Sequence, residues 1–576
     1  MYSSKENVNL LTALLVAHGI GRAVVCPGSR NAPIVHNLNE CPDIKCYAAT
    51  DERSAGFYAL GIALTQTPVA VCVTSGTALL NLLPAVAESY YQKVPLVVIS
   101  ADRPPQWIDQ LDGQTLPQAS ALKPFVKKAV TLPEPRNDEE RWYCQRLINE
   151  ALIEEDGPVH INVPISEPLF DFSQAELPKA KPVFCVTPSN TQNAKLLISD
   201  ESTFLNDFYR AEKPMIVVGQ YNDTGRLCSM LNDIARQVVV IHEALLCETL
   251  INGVGNQDTI HFDEVLESHG NDTELMPDSI IYIGGTLVSK RLKAFLRKAA
   301  PEAAFYRVSP EGELTDTFQH LSYLMKMSPE LVLANIDKTC RNGRFYDIET
   351  DKWAVFPYAP SPFYNRWQTL LTQAENHADA YEPAFSQMAT VKHFENELWN
   401  EENDEFFIHY ANSSVIRLAN IYAWHGVYCN RGVNGIEGSL STAAGFSLET
   451  VQPVYCVIGD LSFFYDQNAL WNQHLRGNLR ILLLNNGGGG IFRMLGGLEQ
   501  SPVRDTLVSA GHNTSAEGIC RQNGINYRHA SNMEEMQQGI SWLLTADESS
   551  PLLLEVATNA TEDELTLKEY YRKCSL

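Results

Sequence analysis

The stretch GDLSFFYDQNALWNQHLRGNLRILLLNNGGGGIF, residues 459–492, decides the fold of this chain. The apolar run Val454–Ile458 leads into Gly459-Asp460, the pattern of a buried parallel strand whose carboxylate emerges at its C-terminal edge. A helical stretch follows. A second apolar strand, Leu479–Leu484, then ends in Asn485-Asn486 and four glycines, Gly487–Gly490. Two neighbouring strand ends thus present oxygen ligands side by side, at the edge where open α/β sheets bind ligands. Mg²⁺ takes an octahedron of oxygens but few side chains, filling the rest with carbonyls, water and substrate phosphates; Asp460, Asn486 and a glycine carbonyl meet that demand. Read singly, each of these is ordinary strand punctuation. Rival phosphate motifs are missing: there is no Gly-Lys dipeptide for a Walker A loop, and the four glycines do not fall into G-x-G-x-x-G.

With 576 residues, 45% hydrophobic and 20% charged, the chain is too long for one core and is expected to divide into about three or four domains. Its 69 acidic against 44 basic residues, a formal charge of −25, argue against general affinity for nucleic acid or anionic membrane. An anionic substrate would need locally concentrated arginines. Thirteen cysteines without a C-x-x-C pair read as reduced thiols rather than a zinc site or disulfide framework. The apolar run Leu10–Ala17 is too short to span a bilayer and leads through Gly19-Ile20-Gly21 into a strand, so a cytoplasmic protein is expected.

From residue 1 to 185 helix and strand alternate, with a helix near Glu6–Ala17 and strands near Ala23–Cys26, Lys45–Ala49, Val69–Val73, Pro95–Ile99 and Val159–Val163. That alternation predicts a parallel α/β domain. Residues 186–345 repeat it in a middle α/β domain, with strands near Pro214–Val218, Val238–Ile241 and Ile280–Ile283. The stretch 346–385, rich in proline, aromatic and acidic residues, reads as a linker over the surface. Residues 386–576 form a third α/β unit, with strands near Phe406–Ile408, Pro453–Ile458, Leu479–Leu484 and Leu552–Val556. Most strands of the first unit run into polar or glycine turns: Pro27–Arg30, Asp51–Arg53, Thr74–Thr77 and Ala101–Pro104. Such turns are where sites gather. Glu52, read alone, is a carboxylate at a helix N-terminus, favoured there by the macrodipole.

Asp460 and Asn486 lie 26 positions apart, and GD followed at that distance by NN resembles the signature of thiamine diphosphate enzymes. The segments PGSR (27–30), DER (51–53), TSGTA (74–78), ADRP (101–104), SKR (289–291), NSSVIR (412–417), NRG (430–432), EGSLSTAAG (437–445) and GDLSF (459–463) extend the likeness over all three units. Together they resemble the 2-succinyl-5-enolpyruvyl-6-hydroxy-3-cyclohexene-1-carboxylate synthases of menaquinone biosynthesis, a family of that superfamily. The resemblance implies pyrimidine-binding, central and diphosphate-binding α/β domains. It also implies decarboxylation of 2-oxoglutarate and addition of the succinyl unit to isochorismate, on a homodimer or dimer of dimers. Thiamine diphosphate is the implied cofactor, with Mg²⁺ or, in its place, Mn²⁺.

Residue by residue, the resemblance makes Glu52 the activator of the aminopyrimidine, and Asp460, Asn486 and the Gly488 carbonyl the metal ligands. Ile436 would hold the cofactor bent, and Gly459, Leu461, Ser462, Ile491 and Phe492 would touch it. Ser29, Arg30, Arg103, Gln114, Lys290, Ser413, Arg417 and Arg431 would line the substrate pocket, with Arg30 and Arg103 on isochorismate and Ser413 and Arg417 on the oxoglutarate tail. Guanidinium forks suit such dianions. The chain departs from the family pattern at Gly113, Gly487 and Gly490, where Asn, Asn and Gln are usual. A different thiamine diphosphate-dependent decarboxylase or carboligase is the alternative, and it would not need so many carboxylate forks. A non-catalytic scaffold on the same fold would be expected to have lost Glu52, Asp460 or Asn486, and all three are present.

Overall fold

A computed structural model describes residues 1–185, 205–223, 226–248, 260–347, 349–356, 361–400 and 405–574. Three parallel sheets carry the chain. The first contains β1 (Arg22–Val25), β2 (Lys45–Ala48), β3 (Val69–Val73), β4 (Leu96–Asp102), β5 (Lys128–Thr131) and β6 (Pro158–Pro164), in the order β2-β1-β3-β4-β6-β5. Strands β3, β4 and β6 are buried along their whole length, as their unbroken apolar runs require, whereas the edge strands β2 and β5 are partly exposed. Every pairing is parallel. The turns after β1, β3 and β4, together with the Glu52 helix start after β2, therefore gather at one edge.

The middle region holds β7 (Pro214–Val218), β8 (Tyr221–Asp223), β9 (Val239–His242), β10 (Leu246–Glu248), β11 (Ser279–Ile283), β12 (Ala304–Val308) and β13 (Tyr323–Met325). Five of these form a sheet ordered β13-β12-β11-β7-β9, and β8 pairs with β10. The boundary expected at residues 185–186 lies outside the described residues. The stretch read as a surface linker departs from expectation. It contains the second strand of an antiparallel hairpin, β14 (Arg344–Asp347) with β15 (Lys352–Val355), and then a helix, Pro362–Ala380. Phe363, Trp367, Leu371 and Ala374 on this helix are buried in the core beneath the second sheet. The prolines that suggested a linker include Pro362 at the first helical position, after an N-cap Ser361 whose hydroxyl accepts from the Tyr364 amide.

The third sheet is ordered β16-β17-β18-β20-β19, from β16 (Phe407–Tyr410), β17 (Val454–Gly459), β18 (Leu479–Asn485), β19 (Asn526–Ala530) and β20 (Leu552–Ala557). Gly459 pairs with Leu484, which sets Asp460 beside the Asn485-Asn486 strand end.

First and third sheets share one apolar core, closed by the helices Glu52–Leu64 and Ser439–Ser447. These helices touch backbone to backbone. A methyl group at Gly61 would lie 2.0 Å from the Thr442 carbonyl oxygen, and one at Gly445 2.1 Å from that of Tyr58, so only glycine permits the approach. The contact also carries polar groups: Ser54 Oγ meets Ser441 Oγ at 2.8 Å, and the buried Asp466 accepts from the Ser441 amide and hydroxyl, each at 2.7 Å. The cysteines whose side chains are described are free thiols, and among the described residues no helix is long and apolar enough to cross a membrane.

Candidate functional site

Asp460 opens a short helix directly after β17 and is only 3% exposed. Its Oδ1 accepts from the Leu461 amide at 2.6 Å, and its Oδ2 from the amides of Asn486 at 3.2 Å and Gly488 at 2.9 Å. One carboxylate thus ties the end of β17 to the glycine turn after β18. Burial pushes this carboxyl up from its ordinary range, opposed chiefly by the Gly488 and Leu461 amides and by His512, whose Nε2 lies 3.4 Å from Oδ2. A cation would reverse that shift.

Asn486 Nδ2 donates to Asp563 at 2.9 Å, while its Oδ1 is buried with no partner. A buried acceptor without a protein partner, beside a buried carboxylate, fits the oxygen donor set of a hard cation. Among the described residues no group of three or more His, Cys, Asp or Glu could hold a metal. A cation here would therefore draw on the single Asp460 carboxylate together with amide, backbone and ligand oxygens, which suits Mg²⁺ bound with a diphosphate.

The glycine turn explains itself locally. Gly487 has φ +78°, and a Cβ there would lie 2.8 Å from the His512 carbonyl; at Gly488 it would lie 2.8 Å from that of Ser509. The 504–512 segment packs so closely that a side chain at 487 is excluded, which accounts for one departure from the family pattern.

A cavity of about 100 Å³ opens over this turn. Asp460, Asn486, Gly488, Gly459, Leu461, Ser462, Phe492, Ser413 and Ile436 line it, as do Gln387, Asn412 and Ser414. Ile436 keeps 36% exposure at its wall, and its carbonyl accepts from the Ser462 hydroxyl. Ile491 sits half-buried in the same turn without lining the cavity. Ser413 starts its helix with φ +81°, and Arg417 one turn later donates back to the Ser413 carbonyl.

Behind the cavity wall, Arg431 donates to Asn412 Oδ1 at 3.1 Å and to the Leu287 carbonyl at 3.3 Å, with its buried Nε left unpartnered. Lys293 reaches the same carbonyl at 3.1 Å. Burial, then Arg431, pulls the Arg417 guanidinium below its ordinary pKa, while burial raises Glu243 to about 7 against the Val288 and Ser289 amides that bind it. Crowded cations beside a carboxyl that burial pushes towards its neutral form favour an added anion. Lys290, expected there, is exposed.

The first sheet supplies a separate cluster. Arg30 donates to the Ile165 carbonyl at 2.9 Å and pairs with Glu167 at 2.9 Å; Arg103 pairs with Asp112 at 3.0 Å. Ser29 is exposed, and Gln114 is exposed with φ +56°, its backbone against Gly76. Glu52 stands at the head of its helix, N-capped by Asp51, and accepts from Asn81 at 3.0 Å. None of these lines the Asp460 cavity. Sequence reasoning missed Gln387, Asp563 and Lys293. Lys293 alone carried a signal, three residues after Lys290.

The family models for the N-terminal and C-terminal TPP binding domains of thiamine pyrophosphate enzymes match residues 6–122 and 412–556. A curated 2-succinyl-5-enolpyruvyl-6-hydroxy-3-cyclohexene-1-carboxylate synthase from Bacteroides thetaiotaomicron is 42% identical over 100% of this chain and 99% of its own. Proteins of the same name from Phocaeicola vulgatus and Cytophaga hutchinsonii are 39% and 33% identical, covering 99% and 97% of both chains. With the Asp460–Asn486 turn on the third sheet and Glu52 on the first, this chain belongs to the 2-succinyl-5-enolpyruvyl-6-hydroxy-3-cyclohexene-1-carboxylate synthase family of thiamine diphosphate enzymes.

Proposed function

We propose that the chain catalyses the thiamine diphosphate- and Mg²⁺-dependent loss of CO₂ from 2-oxoglutarate and the 1,4-addition of the remaining succinyl unit to isochorismate. The product is 2-succinyl-5-enolpyruvyl-6-hydroxy-3-cyclohexene-1-carboxylate. The observation that carries this reading is the buried, partnerless Asn486 Oδ1 beside the Asp460 carboxylate, in a chain 42% identical over its full length to a synthase of that name. Asp460, Asn486 and the Gly488 carbonyl would hold Mg²⁺ or Mn²⁺ and through it the diphosphate; Gly459, Leu461, Ser462, Ile491 and Phe492 would flank the cofactor, with Ile436 against its bend. When bound, thiamine diphosphate supplies the electron sink for decarboxylation.

The remaining work belongs to side chains. Glu52 holds or takes a proton at its carboxylate opposite the aminopyrimidine. Arg417 and Ser413 bind the distal carboxylate of 2-oxoglutarate, and Arg431 and Lys293 add positive charge to that seat. Arg30 and Arg103 exchange their surface carboxylates for those of isochorismate, with Ser29 and Gln114 alongside. Because Glu52 does not line the cavity of its own chain, the reading includes a homodimer, or a dimer of dimers, in which the partner subunit completes the site. The test is loss of isochorismate absorbance with 2-oxoglutarate present. It must require both thiamine diphosphate and a divalent cation; turnover of 2-oxoglutarate with isochorismate untouched would point to a simple decarboxylase instead.

A further inference from the structure

Asn486 is useful to a cation through one of its two amide ends only. Its Oδ1 is an acceptor, whereas its Nδ2 would repel a metal. Nothing intrinsic to an asparagine at a strand end selects the correct end. Here the choice is made from elsewhere. Asp563, on the C-terminal helix Ala560–Lys573, lies 77 positions further along the chain and beyond the residues matched by the C-terminal family model. Its Oδ2 accepts from Asn486 Nδ2 at 2.9 Å and from the Thr558 hydroxyl at 2.8 Å, and its Oδ1 accepts from the Gln387 amide at 2.8 Å. Three donors converge on one carboxylate, so it acts only as an acceptor towards the amide. On the other side Gly490 closes in: a Cβ there would lie 3.0 Å from Asn486 Nδ2.

We infer that Asp563 is a positioning residue: by accepting from Asn486 Nδ2 it locks the amide with Oδ1 towards the cation site. The inference rests on the reading of Asn486 as a cation ligand. Partners that orient a ligating side chain typically change metal affinity by about ten- to hundredfold when altered. Asp563→Asn is the informative change. It keeps the shape and can still accept from the Gln387 amide, but it presents an amide donor to Asn486. The Asn486 amide must then turn over to accept from it, which directs Nδ2 at the cation.

The experiment titrates Mn²⁺ into full-length, cofactor-free protein with saturating thiamine diphosphate, reading free Mn²⁺ by electron paramagnetic resonance. Asp563→Asn should weaken Mn²⁺ about ten- to hundredfold, with the cofactor-free melting temperature unchanged. The double variant Asn486→Asp with Asp563→Asn exchanges donor and acceptor and again points an oxygen at the metal, so it should recover most of the lost affinity. A purely structural Asp563 predicts no such rescue. If Asp563→Asn binds Mn²⁺ like the parent while Asn486→Ala does not, the positioning role is wrong and the ligand reading stands. If Asn486→Ala also binds normally, the ligand reading itself falls. Should the single variant melt early, the double variant decides: recovery of Mn²⁺ binding upholds the inference, and failure overturns it.

Discussion

The carboxyl-terminal edges of the first and third sheets both gather polar turns, but they hold their side chains in different ways. At the first edge Arg30 and Arg103 are paired with Glu167 and Asp112, whose side chains remain 65% and 34% exposed. Carboxylates that remain in contact with water are screened and held less firmly than buried partners, even where the arginine they meet is itself buried. At the third edge Asp460 is fixed by backbone amides, and Asn486 by a half-buried carboxylate that also binds a backbone amide. The third edge is built before any ligand arrives, whereas the first is built to exchange partners. Changes at the third edge should therefore abolish binding, and changes to carboxylate forks should scale it.

The largest effect is expected at Asp460. Asp460→Ala removes the group that ties β17 to the glycine turn and, on the proposed reading, the main protein ligand of the cation. Calorimetry with Mg²⁺ present should detect no thiamine diphosphate binding, while the circular dichroism spectrum stays that of the parent. Unchanged cofactor affinity would remove the metal assignment and with it the contrast between the edges.

Next in size is a test of whether the two edges meet across subunits. Chains carrying Glu52→Gln or Asp460→Asn should each be nearly inactive alone. In a mixed dimer both lesions fall in one site and leave the other intact. Random mixing gives about half heterodimers, each with one of two sites restored, so about a quarter of parental activity should return. Verified heterodimers as inactive as their parents would mean a site built within one chain.

How much of this was legible beforehand depends on distance along the sequence. Buried parallel strands write themselves as unbroken apolar runs that stop at a polar residue, which is why Asp460, Asn486 and the turns after β1–β4 could be read directly. The Pro362–Ala380 helix was missed although Phe363, Trp367, Leu370, Leu371 and Ala374 follow helical spacing, because the prolines at its start read as linker. Asp563 and Gln387 left no trace: their link to Asn486 joins segments far apart in the chain, and no local pattern encodes it. The thiamine diphosphate motifs carried the family, but not the reason for Gly487, which lies in the His512 backbone.

A smaller, graded effect is expected at the anion seat. Arg417→Ala removes one carboxylate fork and should raise KM for 2-oxoglutarate about ten- to hundredfold, the equivalent of roughly 1.5–3 kcal/mol for a charge-assisted hydrogen bond. KM for isochorismate should move far less. Equal changes in both would assign Arg417 to the fold or to the cofactor.

The smallest effect falls where the two edges are joined rather than at either one. Asp466 lies buried between the helices that couple first and third sheets, and burial raises its carboxyl to about 7 against the opposing Ser441 amide and hydroxyl. An acid whose folded pKa exceeds its unfolded value of about 3.9 binds its proton more tightly in the folded state. Its contribution is fully present below the unfolded pKa and is lost as pH rises through the folded one, so it should weaken the fold progressively between about pH 4 and pH 7. Asp466→Asn removes that titration without disturbing the hydrogen bonds: the amide oxygen still accepts from the Ser441 amide, and Nδ2 donates to Ser441 Oγ, whose hydroxyl turns to Ser54 at 2.8 Å. The cofactor-free variant should therefore gain melting temperature relative to the parent as pH increases from 4.5 to 8. Parallel melting curves for parent and variant across that range would show that Asp466 stays ionised in its buried position, and that the joint between the two edges is stabilised by charge rather than burdened by it.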